Sequence, residues 1–155
     1  MDFGFQNIDD FWFQYIRSAR DVKGDGHCGY RSLAVLLGWG EEEYQRVRKE
    51  LVKELVENKS LYEPLRKRCR PGTWPDLLRQ VNHTGHPCPL DCWLDIPFMG
   101  IVFATRFQVG LVSLSWSAPT LCLPLQARSY LITPPAVNFG IALVGQRNHW
   151  VPVSI

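Results

Sequence analysis

Residues 24–31 read GDGHCGYR, and two chemistries compete for them. Gly24, Gly26 and Gly29 satisfy G-x-G-x-x-G, the spacing of a turn that cradles a dinucleotide pyrophosphate. The same eight residues also set Cys28 between two glycines, just before a helical pattern, where a nucleophile would sit. A dinucleotide turn needs a buried strand before it and a crossover helix after it, then a second strand within about 30 residues bearing an acid for the ribose. Upstream, RSARDVK (17–23) has Val22 as its one β-branched apolar residue. Downstream come two helical patterns, and no strand-like run appears until beyond residue 98. The phosphate reading therefore fails, and the glycines are left to serve close backbone approach or positive φ.

A lone cysteine is more often a small buried hydrophobe than a nucleophile, so the surroundings of Cys28 decide its reading. It follows a tight glycine turn at the start of a helix that runs to Leu37 and meets Gly38 and Gly40. Free N–H groups at a helix start favour an anionic nucleophile, and they can hold a carbonyl oxygen as it becomes an oxyanion. A nucleophilic cysteine also needs a base that is near in space. His27 is adjacent and its ring should diverge from the thiol, while His83 and His86 lie in a polar, proline-bounded loop. His149 opens the last strand-like segment between Asn148 and Trp150, where a sheet can hold an imidazole against a helix start. Helix-borne cysteine and strand-borne histidine make a papain-like arrangement.

The rest of the chain fits that plan. At 155 residues it has the size of one domain, expected to span 1–155 and to fold without disulfide or metal staples. No apolar run approaches the roughly 18 residues of a membrane span, and the acidic start MDFGFQNIDD does not read as a secretion signal. The five cysteines are an odd number, so reduced thiols in the cytosol or nucleus are expected. A net charge of +2 does not point to nucleic acid as main partner, and the basic run Arg66, Lys67, Arg68, Arg70 reads as a solvated loop or helix end.

Phe11, Trp12, Tyr15 and Ile16 predict an opening helix that ends near Arg20. Glu41–Glu43 precede a stripe of Tyr44, Val47, Leu51, Val52 and Leu55, the clearest helix in the chain. Thr73 caps a short one that carries Leu77, Leu78 and Val81. Strand-like runs then fill 108–116, 120–125, 129–133, 139–145 and 149–155. Helices first and a mainly antiparallel sheet last is the α+β class.

GDGHCGYR, with Asp25 three residues before Cys28 and Arg31 three after, resembles the D-G-x-C-x-aromatic-Arg signature of the ovarian tumour (OTU) cysteine proteases. NHW at 148–150 resembles that family's histidine followed by an aromatic. From about residue 10 to 155 the chain looks like OTU domains of plants and fungi, including those attached to transposable elements. The resemblance implies a papain-like α+β fold and a deubiquitinase, a monomer without cofactor whose partner is ubiquitin or a ubiquitin-like modifier. It implies that Cys28 attacks the modifier's terminal glycine carbonyl, with His149 as base and Asp25 in the catalytic set. Asp25 would either orient His149 or shape a turn whose backbone N–H groups, at Asp25, Gly26 and Cys28, line the oxyanion hole.

The position two after His149 is Val151, which accepts no hydrogen bond through its side chain, so Asn148 stands as an alternative third member. Trp150 is expected as a substrate-channel wall beside His149, with Tyr30 and Arg31 anchoring the helix. Two rivals accompany this reading. A catalytically silent ubiquitin-binding module would keep the fold without the chemistry. His83, His86, Cys88 and Cys92 are zinc-ligand types, but their H-x₂-H-x-C-x₃-C spacing matches no common finger and no metal is expected.

Overall fold

The computed structural model describes residues 13–115, 119–128, 136–145 and 148–155. The strand expected at 129–133 lies outside these residues, as do Phe11 and Trp12. Where a helix was expected to reach Arg20, Ser18–Ala19 form a short strand β1. Phe13 and Tyr15 are exposed, Ile16 and Ala19 pack on the sheet, and the edge of the last strand offers this stretch hydrogen bonds. Arg17 N–H donates to Ser154 C=O and Arg20 N–H to Pro152 C=O on either side of the β1 pairing.

Five helices follow among the described residues: α1 Cys28–Leu36, α2 Tyr44–Glu57, α3 Lys59–Cys69, α4 Trp74–Val81 and α5 Phe98–Phe107. The strands β2 Val109–Leu114, β3 Thr120–Cys122, β4 Ala136–Val144 and β5 His149–Ser154 complete one sheet of order β1-β5-β4-β2-β3. Its neighbours are antiparallel except for the parallel β2–β4 pair. This is the expected α+β plan.

Local chemistry explains the helix ends. Gly38, at φ +77°, closes α1 in a Schellman motif, with Gly38 N–H on Val35 C=O and Trp39 N–H on Ala34 C=O. Thr73 and Asp76 form a reciprocal capping box at the start of α4. In α2 the predicted stripe is buried at Tyr44, Val47, Leu51 and Leu55, while Val52 is only half-buried. The basic run is the last turn and exit of α3, and two of its arginines face inward. Arg66 pairs with Glu63, and Arg70 reaches Asp95 at 2.9 Å. Helix α5 buries seven of its ten residues between the other helices and the sheet, so it shows no amphipathic period.

The main core joins α1, α2, α4 and α5 to one face of the sheet. On the opposite face Leu114, Ala142, Val144, Val151 and Val153 pack with Ile16 and Ala19 from the segment around β1.

Arg48 is a fully buried cation inside this core. Its guanidinium lies 3.8 Å from the Tyr30 ring centroid and donates to the carbonyls of Gln80, Val81 and Cys92 and to Nδ1 of His27. Four acceptors from three segments thus converge on one side chain. Replacing it by methionine leaves them buried and unpaired, at a cost of about 1–3 kcal/mol for each that water cannot reach. Arg48→Met is expected to lose at least about 3 kcal/mol of stability in urea denaturation; a loss below about 1 kcal/mol would show that the network relaxes around the gap.

Candidate active site

Cys28 is the first residue of α1, and its N–H is therefore one of those without an intrahelical acceptor. The glycines around it answer the question their spacing posed. Gly26 sits at φ +86°, a conformation costly for any residue with a Cβ. A Cβ at Gly29 would lie 2.3 Å from Cβ of Leu94, so only glycine lets α1 approach the segment before α5. Gly24 lines the site itself, where a Cβ would stand 3.5 Å from Nδ1 and Cε1 of the His149 ring.

His149 opens β5, and the two elements meet at their first residues. The backbone N–H of Trp150 points at Cys28 Sγ at 3.4 Å, and the Ser32 hydroxyl of α1 shares its one proton between Cys28 C=O at 2.8 Å and Trp150 C=O at 3.1 Å. The thiol is almost buried, and His149 shares a hydrogen bond with it. His149 Nε2 donates to Asp21 Oδ1 at 2.8 Å, which leaves Nδ1 for the sulfur. The bond to Cys28 raises the His149 pKa, burial opposes it and Asp21 adds to it, with the result near 9. The sulfur and the Asp21 carboxylate thus both favour the protonated imidazole.

Asp21 was not among the candidates. It sits in RSARDVK, an exposed acid in a polar stretch, and it reaches His149 because β1 brings that stretch alongside β5. Asp25 does not orient His149. Its carboxylate is occupied by Arg31 through Nε at 3.2 Å and Nη2 at 2.8 Å, by the N–H of His27 at 3.1 Å and by His86 Nε2 at 2.9 Å. Burial alone would lift its pKa, but these donors outweigh burial and hold it well below the usual carboxylate range. Of the two roles considered for Asp25, the geometry leaves that of shaping the turn. The His27 N–H is turned onto this carboxylate, and Arg31 is buried, as an anchor should be.

The other candidates are placed as follows. Asn148 is exposed in the turn before β5, with Oδ1 toward Gly145, while His149 already has Asp21 on one ring nitrogen and Cys28 on the other. It does not orient the ring. Trp150 is only 8% exposed and belongs to the core, because neighbours on a strand face opposite ways. Its edge still borders a groove of about 530 Å³ shared with Asn148 and Trp93, while the aromatic side chain that borders the space beside His149 is Trp93. It borders a space of about 410 Å³ together with Asp21, Val22, Gly24, Gly26, Asn148 and His149. Among the described residues no three His, Cys, Asp or Glu side chains form a metal-binding group. His86 is bonded to Asp25, His83 to the Pro87 carbonyl, and Cys92 is buried beside Asp91.

The sheet with α1 docked on β5, and the helices packed on one of its faces, has the fold of the OTU domains. No family model matches the chain, and no curated protein matches it in sequence. Solved structures do match. The OTU domain of OTUD1 superposes with a TM-score of 0.65, covering 92% of this chain and 91% of its own at 14% identity. The viral OTU domain protease of Dera Ghazi Khan virus gives 0.65 at 14% identity, with 92% and 82% covered. The Hazara virus OTU, solved bound to ubiquitin, gives 0.61 at 12% identity over 88% and 79%.

The electrostatics of the pair are directly measurable. In an NMR titration the His149 ring should change charge with a midpoint near 9. Asp21→Asn keeps the shape but removes a contribution that favours the cation, so the midpoint should move to lower pH. If it stays, Asp21 does not act on the ring.

Proposed function

We propose that this chain is a thiol-dependent deubiquitinase that hydrolyses the isopeptide bond after the C-terminal glycine of ubiquitin or a related modifier. The observation that carries the proposal is the line Cys28, His149, Asp21 in an OTU fold, with His149 and Asp21 lining a cleft and Cys28 buried behind them. The ubiquitin-bound Hazara virus neighbour supports ubiquitin as the partner.

In this mechanism the Cys28 thiolate attacks the glycine carbonyl, and the new C–S bond places a negative charge on the carbonyl oxygen. The Cys28 N–H and the backbone around Gly26 face that charge, which a pre-set donor stabilises without reorganisation. The tetrahedral intermediate collapses, the C–N bond breaks, and the His149 cation gives its proton to the leaving lysine amine. The resulting thioester is hydrolysed by water, whose proton passes to His149 as Cys28 leaves. Asp21 keeps the ring in the plane of both transfers. Trp93 is proposed as the wall of the modifier's channel.

Ubiquitin bearing a thiol-reactive electrophile at its C-terminus should label the protein covalently, and Cys28→Ala should abolish the adduct. His149→Ala should slow labelling by at least about 100-fold while leaving the fold intact. A silent ubiquitin-binding module would bind the probe without forming an adduct, and labelling that persists in Cys28→Ala would remove Cys28 from the reaction.

A further inference from the structure

The Gly24–Cys28 turn is backed by the loop 82–93, whose contacts to it exceed what covering a core requires. His86 Nε2 donates to Asp25 Oδ2 at 2.9 Å, from a ring that is half exposed. Two residues on, Cys88 Sγ lies 3.5 Å from the Gly26 carbonyl, and the Cys88 carbonyl accepts from Trp93 Nε1 at 3.1 Å. From the turn's side, His27 Nε2 donates to Gly85 C=O at 3.0 Å. A Cβ placed at Gly26 would meet Cys88 Cβ at 2.7 Å and Trp93 Nε1 at 2.8 Å, so side chains of the loop lie directly against the backbone of the turn.

Arg31 also binds Asp25, but it belongs to α1, the helix that the turn already enters. It ties the turn to its own continuation. His86 ties the same carboxylate to a separate segment, one that also carries the cleft wall Trp93. Resting on the deubiquitinase reading above, we propose that His86 is a positioning residue: it latches loop 82–93 to Asp25 and so fixes the backbone donors of the oxyanion turn.

This role differs from a general structural one in what it affects. Alkylation of Cys28 by iodoacetamide forms one C–S bond and expels iodide, with no oxyanion at any stage. Acyl transfer from ubiquitin builds one. A latch on the turn therefore matters to the second reaction and not to the first. Misplacement of a positioning group by a fraction of an ångström to 1 Å lowers rates by about ten- to 100-fold.

The test compares wild type, His86→Ala and His86→Gln on ubiquitin with a fluorogenic C-terminal amide, alongside the rate of Cys28 alkylation by iodoacetamide. His86→Ala should lower kcat at least about tenfold with KM within about twofold and alkylation unchanged, the signature of an interaction that matters in the transition state. His86→Gln, whose amide can donate to Asp25, should recover most of the loss. An undiminished kcat in His86→Ala overturns the proposal. So does a parallel fall in alkylation, or a glutamine variant no better than alanine. A wild type that is alkylated normally but turns over no ubiquitin derivative overturns the deubiquitinase reading itself, and this inference with it.

Discussion

The site depends on how the backbone N–H and C=O of one residue, Trp150, are satisfied. Strand β1 pairs with Val153 and Ser154, and Arg20 just after it reaches Pro152, so this edge stops short of the start of β5. A strand edge buried there without partners would cost about the value of the hydrogen bonds it lacks. Helix α1 supplies them: Ser32 Oγ takes the Trp150 carbonyl and Cys28 Sγ takes its N–H. The shortness of β1 thus lets the helix dock with its first residue against the strand, and the sulfur arrives beside His149 as a result. The Trp150 side chain, facing the core, seals the contact from below.

Around this contact the charged groups form separate nets with opposite effects. His149 lies between a sulfur and a carboxylate, which favour its cation. His27 is buried against the Arg48 guanidinium, and burial together with that charge presses its pKa below the ordinary histidine value. Because Arg48 can only donate, His27 Nδ1 must accept and Nε2 must carry the proton toward Gly85. Two histidines of one chain are therefore pushed in opposite directions, His27 down by burial and by the Arg48 charge, His149 up by its bonds to Cys28 and Asp21. Asp25, with Arg31 and His86, forms a third net that joins the turn to the loop behind it.

Much of this was legible in the sequence. Cys28 was marked by its glycine turn and helix start, His149 by its strand position, and the α2 stripe and the Thr73 cap by local pattern alone. What escaped had physical reasons. A two-residue strand such as Ser18–Ala19 has no periodicity, and its existence depends on an edge contributed by the far end of the chain. Asp21 inherits that invisibility, because an acid among RSARDVK looks solvated until β1 is in place. Helix α5 is apolar on nearly every side, so no 3.6-residue period marks it. The core packing of Trp150 follows from strand alternation, which applies to the residue after His149 as it does to Asn148 and turns most of the indole inward.

The two halves of the His149 environment are anchored with unequal strength. The sulfur side belongs to the deepest part of the molecule, between α1, β5 and the core. The acid side is carried by an edge strand of two residues, and Asp21 itself is largely exposed. Segments with few buried contacts open at far lower free energy than the whole protein unfolds. The acid is therefore the part of the site tied to the rest of the fold by the fewest buried contacts, and its hold on the imidazole rests on one short strand pairing.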